Sequence, residues 1–261
     1  MLARLRSLQA RAAPHGWLDI VRQVALFAAA YYVYRLVRGA VDGRAAAAFQ
    51  HARDLISVER TLHFFVEPSV QAWASGSSFV IDTASWIYIN AQLSITVSAL
   101  VFIYLFHNES FYFVRNMFMV AMALALVGYA LYPTAPPRFM PEWGFSDAVS
   151  DFTGISHDSV PVNALFNPYA AIPSMHVAFA LMIGWPLAHL ARWRVVRGFW
   201  LVYPFLITFV TVATANHFLA DAVLGALVAG IAAYAAGWLA RARPGVWAFA
   251  QVREAPAEAP A

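Results

Sequence analysis

Long apolar stretches alternate with short polar segments along the chain, and five of these stretches are long enough to cross a membrane. They comprise residues 84–106, 116–132, 174–190, 198–215 and 218–239. A spanning helix needs about 20 mostly apolar residues. A sixth stretch, residues 17–37, is interrupted by Asp19, Arg22 and Arg35, but arginines near its ends can extend to the interfaces. The pattern therefore predicts an all-α integral membrane protein, a six-transmembrane helix bundle.

A more polar segment, residues 45–73, separates the first two predicted spans. Apolar side chains recur there at helical spacing on one side, and the remaining positions hold Arg53, Asp54, Glu59 and Arg60. This pattern is typical of an amphipathic interfacial helix. A helical hairpin packed on the bundle fits the pattern equally well.

Composition agrees with a membrane setting and excludes several kinds of chemistry. Hydrophobic residues make up 61% of the chain and charged residues 12%, whereas a soluble domain carries about 25% charged residues. Without cysteine, the chain can form no disulfide and use no thiolate. A net charge of +3 is too small to indicate a nucleic-acid partner. All 17 basic residues are arginine, which indicates an arginine-rich bacterial genome and the bacterial plasma membrane.

Clusters of arginine next to the apolar stretches predict the orientation in the membrane. The clusters are Arg4, Arg6 and Arg11, then Arg192, Arg194 and Arg197, and finally Arg241 and Arg243. Such clusters favour the cytoplasmic side, and six spans place all three there together with both termini. The loop of residues 133–173 then lies on the extracytoplasmic face. We expect one membrane-embedded domain over residues 1–250 and a disordered tail over residues 251–261.

The first candidate for chemistry in that loop is Arg138. Prolines on both sides stiffen the backbone around it, and it is the only arginine in residues 133–173. An arginine fork is well suited to binding phosphate oxygens. The alternative is an ordinary interfacial arginine paired with a nearby aspartate.

The second candidate group opens the apolar stretch of residues 174–190. Pro173 and Ser174 are start signals for a helix, which would place His176 in its first turn. Backbone N–H groups and the helix dipole favour an anion there, and a histidine can donate a proton to it. The alternative is an interfacial histidine hydrogen-bonded to a neighbour.

The third candidate group is His217 with Asp221, four residues later, so that both would share one face of a helix. An aspartate that accepts a hydrogen bond from one ring nitrogen leaves the other nitrogen able to attack. A purely structural His–Asp pair is the alternative. Together with His176, these residues form no recognised metal-ligand spacing, so we expect no metal.

These motifs resemble two signatures of the type 2 phosphatidic acid phosphatase superfamily. Pro-Ser-Met-His at residues 173–176 resembles Pro-Ser-Gly-His, and residues 217–221 resemble the His-x3-Asp that ends Ser-Arg-x5-His-x3-Asp. The resemblance implies that His217 attacks phosphorus to give a phosphohistidine and that Asp221 orients it. It also implies that His176 protonates the leaving alcohol, and that Arg138 and the backbone around Ser174 bind phosphate without a cofactor.

The chain departs from the superfamily pattern at three places. Leu131 and Phe139 replace the lysine and the proline of the first signature, Lys-x6-Arg-Pro, and residues 210–211 are Val-Thr instead of Ser-Arg. Ala-Pro-Pro-Arg at 135–138 and Asn-His-Phe at 216–218 are similar to the branch that contains inositol phosphorylceramide synthases. That branch passes a phospho-headgroup between lipids. A phosphodiester carries one charge fewer than a phosphomonoester, which is consistent with a site holding fewer cations.

The sequence thus predicts a metal-independent membrane enzyme that cleaves a lipid phosphate ester and passes the phospho group to a lipid or polyol hydroxyl or to water. A lipid phosphate phosphatase, acting for example on phosphatidate or polyprenyl phosphate, is one alternative. A non-catalytic lipid-phosphate binding or transport protein is another. Membrane lipids are the expected substrates, and Asn167, Tyr169 and Asn216 are expected near the headgroup, with Trp143. The sequence leaves the donor, the acceptor and the oligomeric state open.

Overall fold

Helices make up nearly all of the chain that the computed structural model describes, which comprises residues 15–40, 44–155 and 169–247. These residues contain no β-strand, and Thr134 and Ala170 form an isolated parallel bridge. The first arginine cluster, Asn167 and the predicted tail lie outside the described residues. Within these three ranges, the prediction of an all-α chain is confirmed.

The helices of these ranges are numbered in chain order, and two short 3₁₀ turns separate the fifth from the sixth. They are α1 (Trp17–Ala40), α2 (Ala45–Thr61), α3 (Glu67–Ser75), α4 (Ser78–Phe106), α5 (Asn108–Leu131), α6 (Ala148–Thr153), α7 (Met175–Leu190), α8 (Arg194–Ala213), α9 (Leu219–Ala242) and α10 (Pro244–Trp247). The 3₁₀ turns are Pro137–Phe139 and Pro141–Trp143.

Four of these helices, namely α4, α5, α8 and α9, are long and apolar enough to cross a membrane. Helix α7 is also apolar but has 16 residues, and α1 has 24 residues with lower mean hydropathy. The chain is therefore a multi-pass membrane protein. The number of six spans stays a prediction.

Two polar residues of α1, Asp19 and Gln23, are buried and paired inside the bundle. The Asp19 carboxylate accepts hydrogen bonds from the hydroxyls of Tyr104 and Tyr112, both at 2.9 Å, and from Gln23 Nε2 at 2.8 Å. Arg115 in turn donates to Gln23 Oε1 at 2.9 Å. These bonds join α1 to α4 and α5, so its polar residues are compatible with a helix packed in an apolar environment.

The polar segment between the first two predicted spans forms two helices, α2 and α3, instead of one. Glu67 and Pro68 open α3, because proline suits the first turn of a helix. The expectation that Glu59 lies on the exposed polar side of α2 is wrong, since its side chain is buried together with Ala52 and Ile56. Glu59 follows Ile56 by three residues, and helical spacing therefore puts it on the apolar stripe.

A second apolar core covers one end of the bundle. It joins residues of α2 to the loop after α5 and to the turn before α9: Ala48, Ala52, Ile56, Ala135, Met140, Phe145, Ala215 and Phe218. The larger core lies among the long helices and is formed mainly by α4, α5, α7, α8 and α9. The smaller core holds the loop against the end of the bundle at which α5 and α8 end and α7 and α9 begin.

Candidate active site

His217 lies in the tight turn that connects α8 to α9. The backbone N–H groups of Asn216 and His217 both donate to the carbonyl of Thr211, at 2.9 and 3.1 Å. Ala215 has a positive φ of 52°, a conformation that is strained for a residue with a Cβ. The turn is therefore held by its own hydrogen bonds, and it buries the His217 ring, which leaves 5% of the residue exposed.

Asp221 orients the His217 ring. Its Oδ2 lies 3.2 Å from His217 Nδ1 and accepts the backbone N–H of Phe218 at 2.9 Å. The expected pair is present, but His217 precedes α9, and Asp221 reaches back to it from the first helical turn. Because a carboxylate only accepts hydrogen bonds, this contact assigns the proton of a neutral His217 to Nδ1 and the lone pair to Nε2.

His176 faces this lone pair. It is the second residue of α7, as the start signals predict, and its Nδ1 lies 3.4 Å from His217 Nε2. Tyr88 of α4 stacks on the His176 ring with a centroid distance of 4.5 Å and an interplanar angle of 22°. The two imidazoles are thus within proton-exchange distance, and one of them is backed by an aromatic ring.

The start of α7 packs closely against α5 and α9. Ser174 is the N-cap, its N–H donates to the carbonyl of Asp221 at 3.0 Å, and its Oγ accepts from Val177 N at 3.5 Å. A Cβ on Gly225 would lie 2.3 Å from the Ser174 carbonyl oxygen, and one on Gly128 would lie 2.8 Å from Pro173 Cδ. Close backbone approach at two glycines therefore sets the position of the motif relative to His217.

Arg138 approaches the same turn from the loop. Its N–H donates to the carbonyl of Ala215 at 2.8 Å, and its Nη1 donates to Asn216 Oδ1. Its Nε lies 4.0 Å from Asp147 Oδ2. The aspartate partner that the alternative interpretation expects is present, and the guanidinium is also hydrogen-bonded to the residue next to His217. Phosphate binding by Arg138 stays a prediction.

The residues predicted near a headgroup differ in their surroundings. Asn216 is part of the site through Arg138, and its Nδ2 also donates to Thr214. Tyr169 packs edge-on against Phe49 and Phe139 in the smaller core. Trp143 packs against Phe65 and under the guanidinium of Arg60, and Asn167 lies outside the described residues.

A small cleft adjoins His176 between α4, α7 and α8. Tyr88, Gln92 and Thr96 line it on the α4 side, and Phe179 and Ile207 contribute apolar surface opposite. One histidine of the site therefore adjoins a mostly apolar cleft between three helices.

The sequence interpretation missed two carboxyl groups beside the site. Glu67 Oε1 accepts the N–H of Leu219 at 2.7 Å, and Glu59 Oε1 accepts the N–H of Ala220 at 2.8 Å. A stricter helical count would have placed Glu59 on the buried stripe of α2. We find no sequence signal for Tyr88 as the stacking partner of His176.

The positions that depart from the superfamily signatures bring no cation to the site. Leu131 is 74% exposed at the end of α5, whereas Val210 and Thr211 are buried in α8. Phe139 lies against the guanidinium of Arg138, with 4.8 Å from the guanidinium carbon to the ring centroid. Arg138 and the start of α7 are the phosphate-binding groups predicted for this end of the molecule.

Fold and site together define a multi-pass helical membrane protein with two histidines, an aspartate and an arginine grouped at one end of the bundle. A family model of the PAP2 superfamily matches residues 53–235, which is more than half of the chain and includes every site residue named above. The chain belongs to the PAP2 superfamily, and this membership suggests a lipid phosphatase-type activity. No curated protein and no solved structure matched the chain.

Proposed function

We propose that the protein is a metal-independent membrane enzyme that cleaves a lipid phosphate ester through a phosphohistidine on His217. The observation that carries this proposal is the position of His217, whose Nδ1 contacts Asp221 at 3.2 Å and whose Nε2 faces His176 at 3.4 Å. A structural histidine needs one partner, whereas a nucleophile needs a group that orients it and a second group that moves a proton. Membership in the PAP2 superfamily supports the phosphatase class of the reaction.

In the first step, the lone pair of His217 Nε2 forms a bond to phosphorus while the bond from phosphorus to the leaving alcohol breaks. The leaving oxygen takes a proton from His176. The phosphoryl group must lie along the Nε2 lone pair, within about 3–3.5 Å before attack. The two imidazole rings therefore have to separate from their 3.4 Å contact when substrate enters.

In the second step, an acceptor hydroxyl gives its proton to His176 and bonds to phosphorus, and the N–P bond breaks to restore the lone pair of His217. Water as the acceptor makes the protein a phosphatase, and a lipid or polyol hydroxyl makes it a phosphotransferase. We favour transfer, as in the inositolphosphotransferase branch that the sequence resembles. The same first step serves both outcomes.

The charge of the site supports a donor with few negative charges. Arg138 is partly neutralised by Asp147. Within the part of the chain that the structure describes, no cation replaces those missing at positions 131 and 211. The start of α7, with Ser174 as its N-cap, adds the partial positive charge of a helix N-terminus. A phosphodiester with one negative charge matches such a site better than a phosphomonoester dianion does.

The apolar cleft supports a lipid substrate. It begins at His176 and is lined mainly by apolar side chains, so the apolar part of a lipid bound at His217 would meet this surface between α4, α7 and α8. Gln92 and Thr96 are polar groups along this surface that could bind an ester or a hydroxyl near the headgroup. A water-soluble phosphate ester would use none of this surface.

The same proposal includes the orientation in the membrane. Helices α1 and α7 would complete six spans in a bacterial plasma membrane, with both termini in the cytoplasm and the site at the extracytoplasmic face. Helices α2 and α3 would lie at that interface, where α2 already packs against the loop and the turn before α9. Arg192 in the loop between α7 and α8, and Arg194 and Arg197 at the start of α8, would face the cytoplasm.

The test uses purified protein in detergent, a His217→Ala variant and labelled lipid donors, given with and without lipid alcohols. We expect turnover by the wild type that is lost in the variant. New phospholipid would establish transfer. Release of the phospho group to water alone would establish hydrolysis, as free phosphate from a phosphomonoester donor or as a water-soluble headgroup phosphate from a phosphodiester donor. Binding of the donors by both proteins without any turnover would contradict the enzyme and support a binding or transport protein.

A further inference from the structure

Two buried glutamates from different helices meet at the N-terminus of α9. Glu59 of α2 binds the N–H of Ala220, and Glu67 of α3 binds the N–H of Leu219. Their residues are 4% and 0% exposed. With Asp221, which binds the N–H of Phe218, three carboxyl groups cap the first turn of one helix. The mechanism proposed above uses only Asp221.

Each glutamate uses Oε1 to bind α9, and the surroundings of the other carboxyl oxygen, Oε2, indicate whether the pair holds a proton. Neither Glu59 Oε2 nor Glu67 Oε2 accepts a hydrogen bond from another group in the described part of the chain. The two side chains are close enough for one carboxyl to donate to the other. Two buried carboxylates side by side repel each other, whereas one shared proton removes a charge and satisfies both second oxygens.

We propose that Glu59 and Glu67 are positioning residues of the site that form a carboxyl pair holding one proton. The pair holds in place the turn that carries His217 and the first turn of α9, which carries Asp221. The hydrogen bonds of the pair join α2 and α3 to the N–H groups of Leu219 and Ala220, which follow this turn. Asp221 in turn holds His217 at 3.2 Å. The catalytic part of this inference rests on the proposed function, but the shared proton does not.

The electrostatic surroundings of Glu59 support a retained proton. Burial, together with the charges of Glu67 and Asp221, raises the pKa of Glu59 to about 8, and the hydrogen bond from Ala220 acts in the opposite direction. These two acids, one on α3 and one on α9, are the ionisable groups found to act on Glu59 from neighbouring elements. Loss of the proton would place a second negative charge in the pair, beside Asp221.

This proton predicts how stability depends on pH. An unfolded chain releases the Glu59 proton near its ordinary pKa of 4.5, whereas the folded protein keeps it until about pH 8. The folded state therefore binds more protons between these values, and its stability falls as pH rises from about 4.5 to about 8. Ionisation of the pair would also loosen the turn and reduce turnover on the alkaline side.

The experiment compares thermal unfolding of the detergent-solubilised wild type with Glu59→Gln and Glu67→Gln between pH 5 and 9. A glutamine at position 59 can still accept from Ala220 and donate to Glu67, but it cannot lose a proton. We expect the midpoint of the wild type to fall as pH rises and that of Glu59→Gln to fall much less. Glu142→Gln, at an exposed glutamate in the second 3₁₀ turn, should follow the wild type. Infrared difference spectra should show a protonated-carboxyl band that Glu59→Gln loses.

Turnover supplies the second readout. Glu59→Gln should keep kcat within about threefold at pH 6.5 and lose less rate than the wild type above pH 8, whereas Glu59→Ala should lose tenfold or more in kcat with little change in KM. A wild-type pH dependence of unfolding in Glu59→Gln, or the same alkaline loss of rate, would overturn the inference. A protein without turnover that still shows the glutamate-dependent stability change would refute the proposed function alone.

Discussion

At the scale of single residues, the hydrogen bonds around His217 determine which of its nitrogen atoms would attack phosphorus in the proposed mechanism. Asp221 accepts from Nδ1 and is fully buried, so its charge is poorly screened by water. In that mechanism, a charge in this position would stabilise the cation that forms on the ring as the N–P bond is made. The roles proposed for Asp221 are therefore orientation and charge, without contact with the substrate.

Asp221→Asn tests these roles. An asparagine keeps the shape of the side chain but removes its charge, and its amide can turn its NH₂ group towards the histidine. We expect kcat to fall roughly 10²–10⁴-fold with little change in donor affinity. Rate and affinity are measured on the same lipid donor, and Asp82→Asn, at an exposed carboxylate of α4, serves as the control. Equal losses in rate and affinity would contradict the assignment.

The contacts between the candidate catalytic residues could be predicted because their sequence signals are local. Proline and serine open α7 and place His176 in its first turn, and the spacing of His217 and Asp221 brings them into contact. The capping role of Glu59 could not be predicted in this way. Its partner, the N–H of Ala220, is far away in sequence and is reached only after α2 packs on the turn before α9.

At the scale of elements, two glycines allow the start of α7 to lie against α5 and α9. Gly225 faces the backbone of Ser174, and Gly128 faces Pro173. Gly225 therefore serves close packing within the chain. A Cβ on Gly230, in contrast, would have open space around it among the described residues.

Gly225→Ala and Gly230→Ala form a matched pair on α9. The first substitution puts a methyl group 2.3 Å from the carbonyl oxygen of Ser174, so the motif has to move. We expect the free energy of unfolding to fall by about 1–3 kcal/mol and turnover to fall with it. Gly230→Ala should leave both unchanged or raise stability slightly. Thermal unfolding in detergent and donor turnover measure the two effects. Equal stability and equal turnover of the two variants would contradict the close packing of Gly225 against Ser174.

The helix ends were harder to predict than the helices themselves. Helix α5 begins at Asn108, earlier than the apolar pattern indicates, because Arg115 and Asn116 are hydrogen-bonded inside the bundle and do not break the helix. The polar segment after α1 divides at residues 62–66, where Phe64 N–H bonds to the carbonyl of Glu59. Hydrogen bonds of this kind, such as that from Arg115 to Gln23 of α1, cannot be inferred from the hydrophobic pattern.

At the scale of the whole molecule, the site and the loop between α7 and α8 lie at opposite ends of the bundle. Helix α7 leads away from His176, and α8 returns to the turn that carries His217. The arginines at the far end predict a cytoplasmic location, which puts the site on the extracytoplasmic face. The smaller core of α2 and residues 133–155 would then cover the site from outside.

Cysteine labelling tests this orientation directly, because the natural chain has no cysteine. Glu142→Cys lies at the site end and Arg192→Cys between α7 and α8, and both positions are exposed. In intact cells, a membrane-impermeant maleimide should label Glu142→Cys, and Arg192→Cys should be labelled only after permeabilisation. The opposite pattern would place the site in the cytoplasm.

The most direct measurement for the whole account is the capture of the covalent intermediate. Purified protein is mixed with a donor labelled in its phosphate, quenched within one turnover and digested, and the labelled peptide is sequenced by mass spectrometry. We predict a label that is labile to acid and stable to alkali, located on His217, absent from His217→Ala and retained in His189→Ala, a variant of an exposed histidine at the far end of α7. Turnover without any labelled histidine, or with the label on another residue, would contradict the phosphohistidine mechanism.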